Sequence, residues 1–408
     1  MLSLDEALAK LVAAVAPLPP TDVRDVPTFD ALGHVLARDV RSALDVPPAD
    51  NTSMDGYAVR CADVPAPGTR LPVSQRIPAG AACAELAPGT AARIFTGGHV
   101  PPGADAIVMQ EQCEAVDGGV RIDVVPEPGQ WIRRRGEDVR AGAVVLAAGE
   151  RLTPQALGLA ASVGAARLAV MRRPRVALFS TGDELVMPGE VPPEKMRPGA
   201  IYNSNRYTLR GLLQSLGCEV SDLGIVPDRL DATRETLRRA AAGHDLILTS
   251  GGVSVGEEDH LKPAVDAEGT LDLWQMAIKP GKPLAFGRVR NGSERDTLFM
   301  GLPGNPVSSF VTFMIVVRPV LLRLQGATRL APRALQARAD FDWQKPDRRR
   351  EFLRVRLNDA GGLELFPNQS SGVLTSATWA DGLLDNPAGQ PIAGGDAVRF
   401  LPFSELLS

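Results

Sequence analysis

Cysteine is scarce: Cys61, Cys83, Cys113 and Cys218 are the only four in 408 residues, far apart and without a C-x-x-C pair. That excludes a clustered zinc site and a dense disulfide framework, and it predicts free thiols in a reducing cytoplasm. Charge of one sign is lacking too. The 44 basic and 48 acidic residues leave a formal net charge of −4, so nothing global draws the chain to nucleic acid or an anionic membrane, and any anion site must be local. The most apolar run, "VSSFVTFMIVVRPVLLRL", is interrupted by Arg318, Pro319 and Arg323. It does not suit a bilayer span of about 20 residues and predicts a buried helix. Acidic residues as early as Asp5 and Glu6 argue against a signal peptide. Neither G-x-x-x-x-G-K-[ST] nor a strand-associated G-x-G-x-x-G occurs, so an ordinary nucleotide-binding loop is excluded.

What is present suits a chain of several domains. The length exceeds the roughly 250 to 300 residues beyond which one core stops growing, and 40 Gly with 34 Pro imply many turns. The start, "MLSLDEALAKLVAAVAP", carries a Ser3-x-x-Glu6 capping box ahead of apolar residues at helical spacing. From about 43 to 141, short apolar runs such as "ARIF" and "AIVM" between Gly and Pro turns predict an antiparallel β-rich block. Helix returns in "TPQALGLAASVG", with Thr153 as N-cap, Pro154 in the first turn and Gly164 as stop. The β-rich block thus reads as an insertion. The expected division is 1–42 with 142–172 as a discontinuous domain, 43–141 inserted, 173–326 as an α/β domain and 327–408 as a terminal β-domain.

Between 175 and 326 strands alternate with helices: "RVALFS", a leucine stripe stopped by Gly217, "EVSDLGIV", a helix over 231–242, "DLILTS", then "TLFMGL" before a helix capped by Asn305 with Pro306 in its first turn. That pattern predicts a parallel sheet covered on both faces, a doubly wound α/β fold. In such a sheet ligands bind at the carboxyl ends of the strands. The loops there hold Thr181, Asp183 and Glu184 in "STGDEL", Asp228, the stretch "SGGVSVGEEDH", and Pro303 and Asn305 in "PGNP"; Lys279 and Lys282 flank a turn in "IKPGKPLAFG". Singly, each has an ordinary explanation as cap, turn former or solvated surface charge. Together they suit a ligand that brings its own cation: carboxylates for Mg²⁺, lysines for phosphate, and Gly251 and Gly252 for backbone close to an anion.

In order and spacing, "NTSMDGYAV", "FTGGHVPPGADAIV", "IRRRGEDV", "STGDEL", "NSN", "SGGVSVGEEDH", "IKPGKPLAFG" and "GLPGNPVSS" resemble the molybdopterin molybdenumtransferase (MoeA) family and the related domain of gephyrin. The resemblance implies a homodimer of four-domain chains: a discontinuous domain, an inserted β-rich one, a doubly wound α/β molybdopterin-binding one and a C-terminal β-barrel. It implies transfer of molybdenum from molybdate to adenylylated molybdopterin with release of AMP, helped by Mg²⁺, in the cytoplasm. Molybdopterin adenylyltransferase and maturation factors of molybdoenzymes are the implied partners, and neither nucleic acid nor membrane is expected.

Carried over residue by residue, Asp55, Thr96 and Asp138 would face the cleft from one subunit. Glu184, Asp228 and Asp259 would line the other subunit's α/β domain and hold pterin, nucleotide or Mg²⁺. Ser250, Gly251, Gly252, Ser254, Lys279, Lys282, Pro303 and Asn305 would receive molybdate, phosphate or nucleotide, with Arg350 and Ser371 from the last domain. Gln275 departs from the family, standing where some members carry a basic residue, which lowers the expected anion affinity or shifts that role to Lys279. Two other readings share the fold: adenylylation of molybdopterin by ATP, which would not need the inserted and terminal domains, and a non-enzymic scaffold.

Overall fold

A computed structural model describes residues 2–252, 260–293 and 295–407, the side chains of Leu273 and Trp274 excepted. The helix Leu4–Ala14 starts as its capping box dictates: the Glu6 N–H donates to the Ser3 hydroxyl at 3.2 Å, and the Ser3 N–H to the Glu6 carboxylate at 2.9 Å. Its buried face, Leu4, Ala7 and Leu11, packs into the core of the α/β unit together with Val176, Met314 and Phe352. Farther on, the strand Val23–Pro27 pairs antiparallel with Arg167–Met171, and Val40–Arg41 with Val144–Leu146. The chain therefore enters and leaves the segment between them side by side.

That segment holds a six-stranded sheet in the order 106–109, 56–59, 91–94, 69–77, 119–122, 113–116. Its pairings are antiparallel except one: Thr69–Ile77 and Ala91–Ile94 run parallel. The exception departs from the antiparallel expectation because the connection 78–90 is of the dozen-residue length that a crossover requires.

The α/β unit is built on a second six-stranded sheet, ordered 219–226, 175–181, 246–250, 297–302, 283–289, 269–275. The first four strands are parallel. The last two are antiparallel, so the sheet is mixed rather than wholly parallel. A tight turn is the reason: Asn291 accepts from the Ser293 N–H at 2.9 Å and donates to the Arg295 carbonyl at 2.9 Å, and a connection that short can join only antiparallel neighbours. Helices Ser204–Ser215 and Pro306–Leu324 cover one face, Leu230–Ala241 and Leu261–Glu268 the other. The apolar run is indeed a core helix: over Pro306–Leu324, 89% of its most apolar window is buried, with a π-helical turn at Phe313–Val317.

Beyond it, strands Leu335–Ala339, Arg350–Leu357, Gly362–Leu365, Gly382–Asn386 and Ala397–Pro402 close into a barrel around Leu353, Leu363 and Phe400. One short strand of the α/β unit, Ile278–Lys279, is added parallel to Arg350–Glu351. The barrel is thereby stitched to the loop that carries Lys279.

Candidate functional site

Strand 175–181 connects outward to 219–226 through a helix on one face, and the next crossover returns to 246–250 over the other. The helices diverge where 175–181 and 246–250 meet, and a ligand crevice is expected there. A cavity of about 890 Å³ opens at that point. Glu184 and Asp228 supply carboxylates from the first two loops, and Ser250, Gly251 and Gly252 line it from the third. Lys282, Pro303 and Asn305 complete the sequence-predicted set within its walls, and Gly372 and Leu374 reach it from the barrel domain.

Local geometry explains why these residue types stand here. Gly251 and Gly252 have φ of +92° and +64°, a region costly for side chains. A Cβ on Gly251 would also lie 2.8 Å from the Thr181 carbonyl oxygen. The long helix that begins at Pro306 aims its N-terminus at the cavity, with Ser308 of its first turn in the wall. Asn305 stands at the N-cap but makes no capping hydrogen bond through its side chain. The Val307 N–H is taken by the Ser371 carbonyl at 3.0 Å. Partial positive charge at this helix end favours an anion beside it.

Sequence reasoning assigned no role to two residues of "NSN". Asn205, 9% exposed, donates to Ser250 Oγ and to the Gly304 carbonyl, both at 2.7 Å, and so ties the third loop to the last. Asn203 caps the helix Ser204–Ser215 through its Oδ1, while its buried Nδ2 has no partner among the described residues. The motif marks both positions; only packing shows that Asn205 braces the cavity floor.

The remaining predicted residues lie elsewhere. Ser254 and Asp259 fall outside the described residues. Lys279 is half-buried at the seam with the barrel, its ammonium 3.2 Å from Glu351 Oε1 and 3.5 Å from Asp347 Oδ2. Arg350 turns away from it. Its guanidinium grips Asp385 through two bonds of 2.6 and 2.7 Å and reaches Asp5 at 3.1 Å, in a separate hollow of about 550 Å³. Neighbouring Arg349 faces Lys279's side instead: it holds both oxygens of Asp347 at 2.9 Å and donates to the Ile278 carbonyl at 3.4 Å. Arg349 stands just before the barrel strand and Arg350 opens it, and the two guanidiniums take different carboxylates.

In the inserted sheet Asp55 Oδ1 accepts from the N–H and hydroxyl of Thr96 at 2.7 and 2.8 Å, and these two bonds hold its carboxyl below the usual range. Asp138 is exposed, with its N–H on the Val46 carbonyl at 3.0 Å. None of Asp55, Thr96 and Asp138 lines the cavity of its own chain. The cysteines are free, and burial pushes the Cys61 and Cys218 thiols up to about 12 and Cys113 up to about 11, so these three are not ready thiolates.

A doubly wound domain that presents carboxylates, a lysine, an open glycine backbone and a helix N-terminus to one crevice defines a binder of a phosphate-bearing organic ligand. Family comparisons make that class specific. Residues 2–164 match the MoeA N-terminal region (domain I and II), residues 177–323 a probable molybdopterin binding domain, and residues 336–403 the MoeA C-terminal region (domain IV). The chain is similar to molybdopterin molybdenumtransferase of Haemophilus influenzae, 39% identical with 100% of each chain covered. It is 40% identical to molybdopterin molybdenumtransferase 2 of Mycobacterium tuberculosis, over 89% of this chain and 90% of that one. Among solved structures, the molybdopterin biosynthesis moeA protein of Pyrococcus horikoshii OT3 superposes with a TM-score of 0.83 at 29% identity, covering 98% of this chain and 100% of the other. The chain belongs to the MoeA family of molybdenum cofactor biosynthesis.

Proposed function

We propose that this protein is a molybdopterin molybdenumtransferase, which takes adenylylated molybdopterin and molybdate, places molybdenum on the dithiolene sulfurs and releases AMP. The observation that carries the reading is the meeting of Glu184, Asp228, the Gly251–Gly252 turn, Lys282 and the 306–324 helix N-terminus around one cavity. The helix end suits the pyrophosphate, and Lys282 offsets negative charge as it moves toward the leaving oxygen.

Mg²⁺ fits this donor set in part. Glu184 and Asp228 are two oxygen donors on one crevice, while no group of three or more such ligands converges among the described residues. An ion that keeps water and takes phosphate oxygens for the rest needs no more. It would neutralise phosphate charge when bound. Asp259 remains the proposed third ligand.

The proposed division of the chain is 1–42 with 142–172, 43–141, 173–326 and 327–408, and the proposed assembly is a cytoplasmic homodimer in which Asp55, Thr96 and Asp138 complete the partner's cleft. Two features support the dimer: those residues do not reach the cavity of their own chain, and Phe29 and Leu32 are 94% and 51% exposed. Delivery from molybdopterin adenylyltransferase and onward to maturation factors would follow from such a role.

Purified protein with adenylylated molybdopterin and molybdate should release AMP, and Asp228→Ala should stop release while leaving the fold intact. ATP consumption with bare molybdopterin would point to adenylyl transfer instead, and turnover undiminished in the variant would remove the site assignment.

A further inference from the structure

Lys279 and Arg349 share a carboxylate. Asp347 binds Arg349 through both oxygens, Oδ1 to Nε and Oδ2 to Nη2 at 2.9 Å each, and the same Oδ2 lies 3.5 Å from Lys279 Nζ. Two acceptor oxygens set between an ammonium and a guanidinium occupy the place that one edge of a tetrahedral oxyanion would take. Resting on the reading that Lys279 receives the substrate oxyanion, we propose that Asp347 is an internal stand-in for that anion, which must be displaced and which sets the affinity and selectivity of the seat.

The second carboxylate beside Lys279 behaves differently. Glu351 belongs to the barrel strand Arg350–Leu357, has no solvent exposure, and accepts from Lys279 at 3.2 Å, Trp343 Nε1 at 2.8 Å and the Asp347 N–H at 3.1 Å. Withdrawing it would leave three donors, one of them the Lys279 ammonium, without their acceptor. Asp347 stands in the turn before that strand and keeps 20% of its side chain exposed, beside Arg349 at 24% and Lys279 at 38%. One carboxylate is an anchor, the other a removable plug.

Charge gives the plug its effect. With both carboxylates in place the two cations are neutralised, so a dianion approaching Lys279 and Arg349 meets no net attraction. Once Asp347 swings into solvent the remaining group is cationic. An oxyanion therefore has to offer the two cations more than a carboxylate does, which a doubly charged tetrahedral ion achieves and a singly charged planar one does not.

The test is titration of the full-length protein with molybdate alone, followed by calorimetry and by the fluorescence of the chain's tryptophans, among them Trp343 beside Glu351. Asp347→Asn keeps the size of the side chain and an oxygen for the Arg349 N–H at 3.0 Å but removes the charge; Asp347→Ser serves as a second variant. Both should bind molybdate about tenfold more tightly than the native chain, with a steeper loss of affinity as salt is added and weaker rejection of formate. In turnover the KM for molybdate should fall while kcat does not rise. Unchanged or weaker molybdate binding in both folded variants overturns the proposal. Lys279→Met separates the two levels: loss of molybdate binding upholds the underlying reading whatever Asp347 does, and binding as tight as in the native chain would refute that reading itself.

Discussion

Asn205 and Ser250 meet at 2.7 Å on the floor of the cavity, where the carboxamide of Asn205 also holds the Gly304 carbonyl at 2.7 Å. One amide nitrogen so fixes the spacing of the glycine turn and the helix N-terminus, the two places where an anion would rest. Truncation should be felt in both stability and binding. Asn205→Ala leaves a buried hydroxyl and a carbonyl short of a donor, at a cost of about 1–3 kcal/mol, to be read from urea unfolding. Affinity for AMP should fall as well, measured by calorimetry. An unaltered unfolding midpoint together with unaltered AMP binding would refute the bracing role.

Gly251→Ala should damage the same floor by another route. The left-handed backbone alone costs about 1–2 kcal/mol with a side chain present, and the added methyl would press on Thr181 O from 2.8 Å. Reduced thermal stability and lower AMP affinity are expected. The Gly68→Ala variant makes the control: its φ of +87° is similar, with nothing within 4 Å of the added atom and no place in the cavity. It should lose stability only.

Acid sensitivity should have an identifiable contributor at Glu268. Hydrogen bonds from Arg238 first and Arg234 next hold its carboxyl down at about 2, below the ordinary 4.5. A depressed folded pKa means that the unfolded chain takes up the proton first. The stabilisation is therefore complete above pH 4.5 and is lost as pH falls from there toward about 2. Glu268→Gln should flatten that part of the stability profile, and an equally steep decline in the variant would count against the assignment.

Local signals carried far in the sequence. Strand Glu219–Val226 and the caps at Ser3 and Thr153 lie where periodicity and side-chain chemistry put them, because both act within a few residues. Cavity residues such as Glu184, Asp228 and Lys282 were legible since strand ends gather loops by topology alone. What escaped depends on distant partners. The antiparallel edge of the central sheet rests on pairing with the Thr297–Leu302 strand, and the choice between Arg349 and Arg350 on the register of a barrel strand against Ile278–Lys279. Asn205 needed Gly304, nearly a hundred positions away, before its purpose could be read.

Leu4 and Leu11 share one apolar cluster with Leu401 and Leu406. A ribosome delivering this chain hands over the first pair long before the second exists. The opening helix cannot meet Leu401 and Leu406 until that stretch of chain has been made. Growing chains halted short of Leu401 should accordingly be prone to digestion by proteases.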